Sequence, residues 1–392
     1  MSPGPAHRTV PRPGAVEILA NLLLGPDDRG PAFPEPAGVG VEAALEQAVL
    51  TGLRRPPCLV SFSGGRDSSA VLAVAVRAAR RHGLPDPVPV IMRFRHAPES
   101  DETAWQELVL SHLGLPKPAV VELHLELEVL GAIATQVLRE GGVRWPSNAY
   151  MHVPVLEPAR GGALLTGIGG DELFQSQGSP HLLALHRRER PRLRHAMSLA
   201  AAISPRRLRD AIWRWRRAPA YPWLTPAGQA LVRRELARDA VSWPQRWDHA
   251  VRHWHDSRAF SAVEGSIARI AEDRDVLAIN PLIEPPVLAE LALRGGPTGF
   301  RSRDAAMQEL FGDLLPAEVL TRRGKAGFTE PFWGPRAAAF SAEWDGSGVD
   351  DRHVDVEAVR SEWSSERPDF RTSLLLQAAW LHASSQASVP SS

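Results

Sequence analysis

The residues best suited to chemistry lie in the run S-F-S-G-G-R-D-S-S, Ser61 to Ser69, set between the apolar segments "CLV" and "AVLAVAV". Two adjacent glycines let backbone N–H groups close around an anion, and the serines add hydroxyl donors. A helix starting here would aim the positive end of its dipole at the same spot. By composition the run is a phosphate site. It lacks the lysine of the G-x-x-x-x-G-K-[ST] loop, so the phosphate charge needs another counter-ion. Asp67 points to Mg²⁺, which favours carboxylate oxygen and keeps phosphate oxygens and water in its other positions. The competing reading of Asp67 is an ordinary helix-capping carboxylate. A second run, L-L-T-G-I-G-G-D-E-L-F from Leu164 to Phe174, again leads an apolar segment into glycines and then acids. If both runs end neighbouring strands of one sheet, Asp67 and Asp171 face a shared Mg²⁺–pyrophosphate from two sides.

The elements that must position these runs alternate. "VEAALEQAVLTGLRR" has helical periodicity, "PPCLVSF" reads as a strand and "SSAVLAVAVRAARRHG" as a helix. Strand "VPVIMRF", helix "ETAWQELVLSHLG", strand "VVELHLEL", helix "VLGAIATQVLRE" and strand "ALLTG" follow. Strands alternating with helices predict βαβ units and a parallel sheet with ligands at the strands' carboxyl ends. Beyond "GGDELF" the texture is helical, including a long helix over "SRAFSAVEGSIARIAEDRDVL", and no comparable strand pattern returns. The expected organisation is a Pro/Gly-rich arm over 1–40, an α/β core over 41–175, a mainly α-helical half over 176–383 and a polar tail over 384–392.

Composition narrows the function classes. Lys+Arg and Asp+Glu both total 45 among 392 residues, so no net charge draws the chain to nucleic acid or anionic membrane. No long apolar run or signal-like N-terminus appears, and a soluble, cytoplasmic protein is expected. The one cysteine, Cys58, lies in an apolar run and reads as a packed thiol. Of the basic residues only Lys117 and Lys325 are lysine. A lysine kept within "RRGKAGF", beside two arginines, is therefore a candidate for chemistry that guanidinium cannot perform.

With these residues in view, "SFSGGRDSS" resembles the PP-motif of the ATP-pyrophosphatase superfamily, and "TGIGGDELF" is similar to the S-G-E-G-[SA]-D-E-L-F segment of its asparagine synthetase branch. "INPLIEPPVLAELAL" and "RDAAMQELFGDLLPAEVLTRRGKAGFTEPF" resemble two further family segments, so the likeness spans residues 41–340. The resemblance implies an α/β fold with the parallel sheet of a PP-loop ATP-pyrophosphatase. It also implies a synthetase that uses ATP and Mg²⁺ to adenylate a carboxylate, releases pyrophosphate and couples the acyl group to an amine. Carried over by position, Ser63, Gly64, Gly65, Asp67, Ser68 and Ser69 would hold pyrophosphate and metal, and Asp171 would complete the metal site. Ser61 and Gly167 would border the adenosine, Met92 would belong to the adenine pocket, and Lys325 would stabilise charge on the departing phosphoryl group.

Departures refine the expectation. Ser2 stands where the family's asparagine synthetases carry a glutamine-hydrolysing cysteine, and the arm is too short for a glutaminase domain, so glutamine is not the expected nitrogen donor. Ile168 replaces the family glutamate, or the tyrosine of the related β-lactam synthetases, which leaves the general base open. "RRGKAGFTEPFWGPR", "WDGSGVDDRHVDVEAV" and "LLLQAAWL" resemble the end of lasso-peptide macrolactam cyclases. The expected substrate is then a precursor peptide, with a leader-binding or protease partner. The alternatives are a small-molecule amide synthetase using ammonia or another amine on a small carboxylate, and a non-catalytic PP-loop binding protein.

Other clusters read as structural. The arginine-rich span "HRRERPRLRHAMSLAAAISPRRLRDAIWRWRR" is expected to be a solvated helical face rather than a groove for an acidic partner. His249 and His253 stand at i, i+4, but no Glu follows His249 as in the H-E-x-x-H arrangement, so zinc is not expected at these residues or at His255. Asp101 and Glu102 are expected to charge a helix N-terminus rather than form a catalytic acid pair.

Overall fold

A computed structural model describes residues 10–95, 100–174, 220–324 and 332–387, together with 200, 204, 205 and 207. Helix α1 (Ala15–Ala20) and α2 (Val41–Leu53) precede β1 (Cys58–Ser61), α3 (Arg66–Arg81), β2 (Val88–Phe94), α4 (Thr103–Leu113), β3 (Ala119–Leu123) and α5 (Ala132–Gly141). A 3₁₀ turn, Ala149–His152, leads to α6 (Val153–Leu156), β4 (Ala163–Leu165) and α7 (Gly170–Phe174). Then come α8 (Pro226–Ser242), α9 (Trp247–His255), α10 (Arg258–Glu272), β5 (Leu277–Ile279), α11 (Pro285–Gly295) and α12 (Arg303–Phe311). The chain ends with α13 (Ala317–Leu320), α14 (Pro335–Glu343), α15 (Val356–Trp363) and α16 (Ser373–Ala387).

The five strands form one parallel sheet in the order β3-β2-β1-β4-β5. The chain winds outward from β1 to β3, then returns to the other side of β1 to place β4 and β5. The winding direction therefore reverses between β1 and β4, which opens a crevice at their carboxyl ends. The register sets Val60 beside Leu165, so the two glycine-rich runs leave the sheet side by side. Parallel strands covered on both faces should be continuously apolar. β4 is, with Ala163, Leu164 and Leu165 all fully buried. On one face α2, α3 and α11 pack against Cys58, Val60, Ile91 and Leu165; on the other Leu59, Val90 and Leu164 meet Tyr150, Val155 and Ile270. α3 buries nearly every side chain from Ser68 to Ala79, the consequence of its almost unbroken apolar run.

Element boundaries differ from the sequence reading in ways local chemistry explains. β3 stops at Leu123 because His124 N–H turns to donate to Glu126 Oε2 at 2.5 Å. β4 stops at Leu165, and Thr166 instead donates its N–H to Ile279 O at 3.0 Å and its hydroxyl to Asn280 Oδ1 at 2.6 Å. The helix read through Leu277 ends at Glu272; Asp275, in the left-handed region at φ 55°, reverses the chain into β5. The sheet thus takes a strand from the segment read as helical. The described part of the arm is pinned: Glu17 accepts from Gly14 N–H, Leu24 N–H and the Arg258 guanidinium, and Glu290 accepts from Gly38 and Gly40 N–H. Leu19 and Leu23 of the arm are buried, and Leu19 packs with Trp223, Leu375 and Leu376. Among the described residues no helix is long and apolar enough to cross a membrane.

Candidate active site

The crevice between β1 and β4 holds a cleft of about 770 Å³, within the range of small-molecule sites. Ser61, Ser63, Gly65, Asp67 and Ser68 line it from the first run, Thr166, Gly167, Ile168, Gly169, Asp171 and Glu172 from the second, and Val90 and Met92 from β2. Phe62 N–H donates to Val90 O at 2.8 Å, holding the first run against β2 as it leaves the sheet. Beyond it the loop closes on itself. Ser63 and Ser68 hydroxyls lie 3.0 Å apart, Ser68 Oγ accepts from Ser63 N–H at 3.2 Å, and Ser63 Oγ accepts from Gly65 N–H at 3.2 Å. These are the donors that a phosphate oxygen would recruit.

Two site candidates lie off the cleft. Ser69 is fully buried, with its hydroxyl inside the core rather than toward the loop, because consecutive helical residues point in different directions. Gly64 faces α4 instead, where Gln106 and Glu102 lie against it. Lys325 lies outside the described residues, as do the arginine-rich residues 186–199 and 211–217 and most of the polar tail; its sequence neighbour Gly324 lines the cleft.

The electrostatic centre of the cleft is a residue that the sequence reading did not assign. Arg303, at the start of α12, donates through Nη2 to Asp67 Oδ2 at 2.7 Å and through Nη1 to Asp171 Oδ1. Ser302 fixes that helix start, its hydroxyl accepting from Ala305 N–H at 3.1 Å. Burial opposes the charge on Arg303, but the Asp67 and Asp171 carboxylates outweigh it and hold the guanidinium above its usual value. Two carboxylates from separate loops therefore already converge on one cation. Arg303 belongs to the "RDAAMQELF" segment, yet nothing in its type marks it out in a chain whose basic residues are nearly all arginine.

A second arginine anchors the phosphate loop from outside. Arg322 is 7% exposed and pairs with Glu102, 6% exposed, at 2.5 Å and 2.8 Å through its two terminal nitrogens. The same guanidinium donates to Gly64 O at 2.9 Å and lies 4.6 Å above the Trp105 ring. Gln106 Nε2 adds a bond to Ser63 O at 3.3 Å. Asp101 behaves as read, accepting from Thr103 N–H at 2.9 Å at the start of α4; Glu102 instead serves the loop. His152, which no motif predicted, also lines the cleft.

The remaining sequence candidates are structural. Burial pushes the Cys58 thiol up to about 12. His253 lies 3.3 Å from Ser242 Oγ and meets the Trp243 ring edge-on; His255 is buried between Phe33, Phe260 and Asp256.

A profile of the asparagine synthase family matches residues 40–275, more than half of the chain. The chain belongs to the asparagine synthase family. No curated protein matches it. Family membership supports an ATP-dependent ligase in general, and the matched span carries β1 to β4, both glycine-rich runs and their two aspartates.

Proposed function

We propose that this asparagine synthase family chain binds Mg-ATP in the cleft, adenylates a carboxylate with release of pyrophosphate, and transfers the acyl group to an amine. The observation that carries this reading is the meeting of Asp67 and Asp171 on one cation, directly beside the Ser63–Ser68 loop at the reversal of the sheet winding. Two carboxylates fit Mg²⁺, which commonly takes few protein ligands and completes its shell with substrate phosphates and water. Bound there, the ion would neutralise charge on the departing pyrophosphate.

The chain's own residues do the rest. Ser63, Gly65 and Ser68 present hydroxyl and backbone donors to the β- and γ-phosphates while Arg322 and Gln106 hold the loop's carbonyls. Lys325 supplies the compact positive charge for the phosphoryl group being displaced. The carboxylate oxygen attacks the α-phosphorus as the α–β bridging bond breaks. The amine then attacks the acyl carbon, AMP leaves, and the amine gives up a proton. Ile168 lines the cleft and has no proton to exchange.

The finer reading is a lasso-type macrolactam cyclase joining a peptide's N-terminal amine to an Asp or Glu side chain, supported by the likeness of its C-terminal segments to that group. The test is product analysis with Mg-ATP and a panel of carboxylates: free aspartate and glutamate with ammonia, and linear peptides carrying an internal Asp or Glu. AMP and pyrophosphate formed only with peptides, together with loss of one water from the peptide mass, support the cyclase. AMP formed with the free amino acids supports the small-molecule synthetase. ADP and phosphate as products would overturn the adenylation chemistry, and nucleotide binding without turnover on any substrate would favour a binding protein.

A further inference from the structure

Asp67 and Asp171 have two cations to serve. Arg303 already takes Asp67 Oδ2 and Asp171 Oδ1, one through each terminal nitrogen, so its fork fills the space between the two loops where a metal would sit. The seat satisfies it incompletely: Arg303 Nε is sealed from water and makes no hydrogen bond among the described residues. The seat also opens toward the cleft, which Arg303 lines and where Asp171, 37% exposed, is the most open of the three side chains. The backbone beneath is fixed. Ser302 caps α12, and Asp304 Oδ1 accepts from Arg66 Nη1 at 2.7 Å, which ties the start of α12 to the start of α3. A released Arg303 side chain therefore stays beside the Ser63–Ser68 loop.

A guanidinium and Mg²⁺ compete for such a pair of carboxylates, since both need the oxygen lone pairs that face the space between them. Mg²⁺ gives up its water reluctantly, and displacing Arg303 strands a partly buried charge, so the metal alone has little to gain. Phosphates change the balance, because their oxygens accept a guanidinium fork as well as a carboxylate does. We propose that Arg303 is a resident counter-ion that holds the metal position in the nucleotide-free protein and passes to the phosphates when Mg-ATP arrives, so that metal and nucleotide bind as a pair. The inference rests on the reading of the cleft as a Mg-nucleotide site.

The competing role is a permanent clamp, in which Arg303 joins the two loops whether or not nucleotide is bound. The two roles differ in sign. Removing a clamp loosens the loops and weakens the binding of every ligand, whereas removing a competitor strengthens the binding of metal by itself. Linkage adds a second signature: an arginine that leaves the carboxylates for the phosphates couples metal to nucleotide, and the coupling shrinks when that arginine is gone. Lysine should fall between, because an ammonium is a point charge that cannot bridge both carboxylates as the planar fork does.

The experiment measures Mn²⁺, which accepts the same oxygen ligands as Mg²⁺ and is counted by the paramagnetic resonance of the free ion. It is titrated into wild type, Arg303→Met and Arg303→Lys, with and without α,β-methylene-ATP, whose scissile bridge cannot break. Without nucleotide, Arg303→Met should bind Mn²⁺ about tenfold more tightly than wild type, the effect of roughly one charge-assisted hydrogen bond, and Arg303→Lys should gain about threefold. The gain in Mn²⁺ affinity on adding the analogue should be about tenfold larger in wild type than in Arg303→Met. Adding Asp171→Asn to Arg303→Met should abolish the tighter binding. Nucleotide-free Mn²⁺ affinity equal to or weaker than wild type in both variants would overturn the proposal and leave Arg303 a clamp, and Arg303→Lys decides the matter if Arg303→Met does not fold. Tighter binding that survives Asp171→Asn would also overturn it, since the metal would then sit elsewhere. Wild type that binds neither Mn²⁺ nor the analogue when both are present would refute the Mg-nucleotide reading itself.

Discussion

The Arg322–Glu102 pair makes a quantitative prediction that separates stability from function. Both partners are more than nine-tenths buried, so neither charge can turn to water if the other is removed. Removing one partner of such a pair costs about 3–5 kcal/mol, a large share of a typical total of roughly 5–15 kcal/mol. Glu102→Gln keeps the shape and removes only the charge; it should lower unfolding free energy by about 3 kcal/mol in urea titrations. Glu102→Leu combined with Arg322→Met removes both charges and fills similar volume, and it should recover most of that loss. The double variant still lacks the guanidinium that donates to Gly64 O at 2.9 Å. A hydrogen bond from a charged donor contributes about 1.5–3 kcal/mol, so this stable protein should bind Mg-ATP roughly 10- to 100-fold more weakly, because its phosphate loop is no longer held. Glu102→Gln costing under 1 kcal/mol would show that the pair is not energetically coupled. A double variant with wild-type ATP affinity would refute the loop-holding role even if the stability figures came out as expected.

Three further outcomes are expected. Arg303→Met leaves Asp67 and Asp171 facing each other without their shared cation, so it should destabilise the metal-free protein by more than the ~1 kcal/mol of a surface pair, and added Mg²⁺ should raise its melting temperature more than that of wild type; no difference in the Mg²⁺ response would separate Arg303 from the metal position. Lys325→Arg should lower turnover by roughly 100-fold with little change in ATP affinity, measured by AMP release and calorimetry, whereas normal turnover would make the lysine dispensable. Since the folded protein keeps His152 neutral down to about 4 and unfolding returns it to an ordinary 6.5, acid adds a proton to the unfolded state first; stability conferred by the neutral ring is present above pH 6.5 and lost as pH falls toward 4, so wild type should lose more melting temperature across that window than His152→Phe.

How far the molecule was legible in its sequence depended on how local each signal was. The strands entering the two loops could be read because a short apolar run breaking into Gly, Ser and Asp is complete within about a dozen residues. β5 could not: Leu277, Ala278 and Ile279 are too few to show a period, and they follow a helix whose apolar spacing runs on into them. Arg303, Arg322 and His152 were missed for another reason. Arg303 reaches Asp67 across 236 residues of sequence and Arg322 reaches Glu102 across 220, so their roles arise only once the sheet has brought those segments together. Arginine is also this chain's default cation, so residue type carried no warning.

The glycines show where a correct location came with an incomplete reason. Read from sequence, Gly167 borders the adenosine and Gly170 belongs to the glycine run ahead of Asp171, and their loop does sit at the cleft. The structure gives them a tighter constraint. A β-carbon at Gly170 would stand 2.1 Å from Asp67 Cγ, and one at Gly167 would stand 2.6 Å from Ser68 N. A side chain at Gly167 would have to drive the backbone of the two loops apart, whereas one at Gly170 would displace the Asp67 carboxylate. The second loop is glycine-rich, then, because it must pack its backbone directly against the start of α3, which is what brings Asp171 and Asp67 onto one cation. An alanine at position 170 would act on the metal position through Asp67 rather than through any lost contact of its own, and its effect should resemble Asp67→Asn more than the modest cost of an ordinary loop substitution.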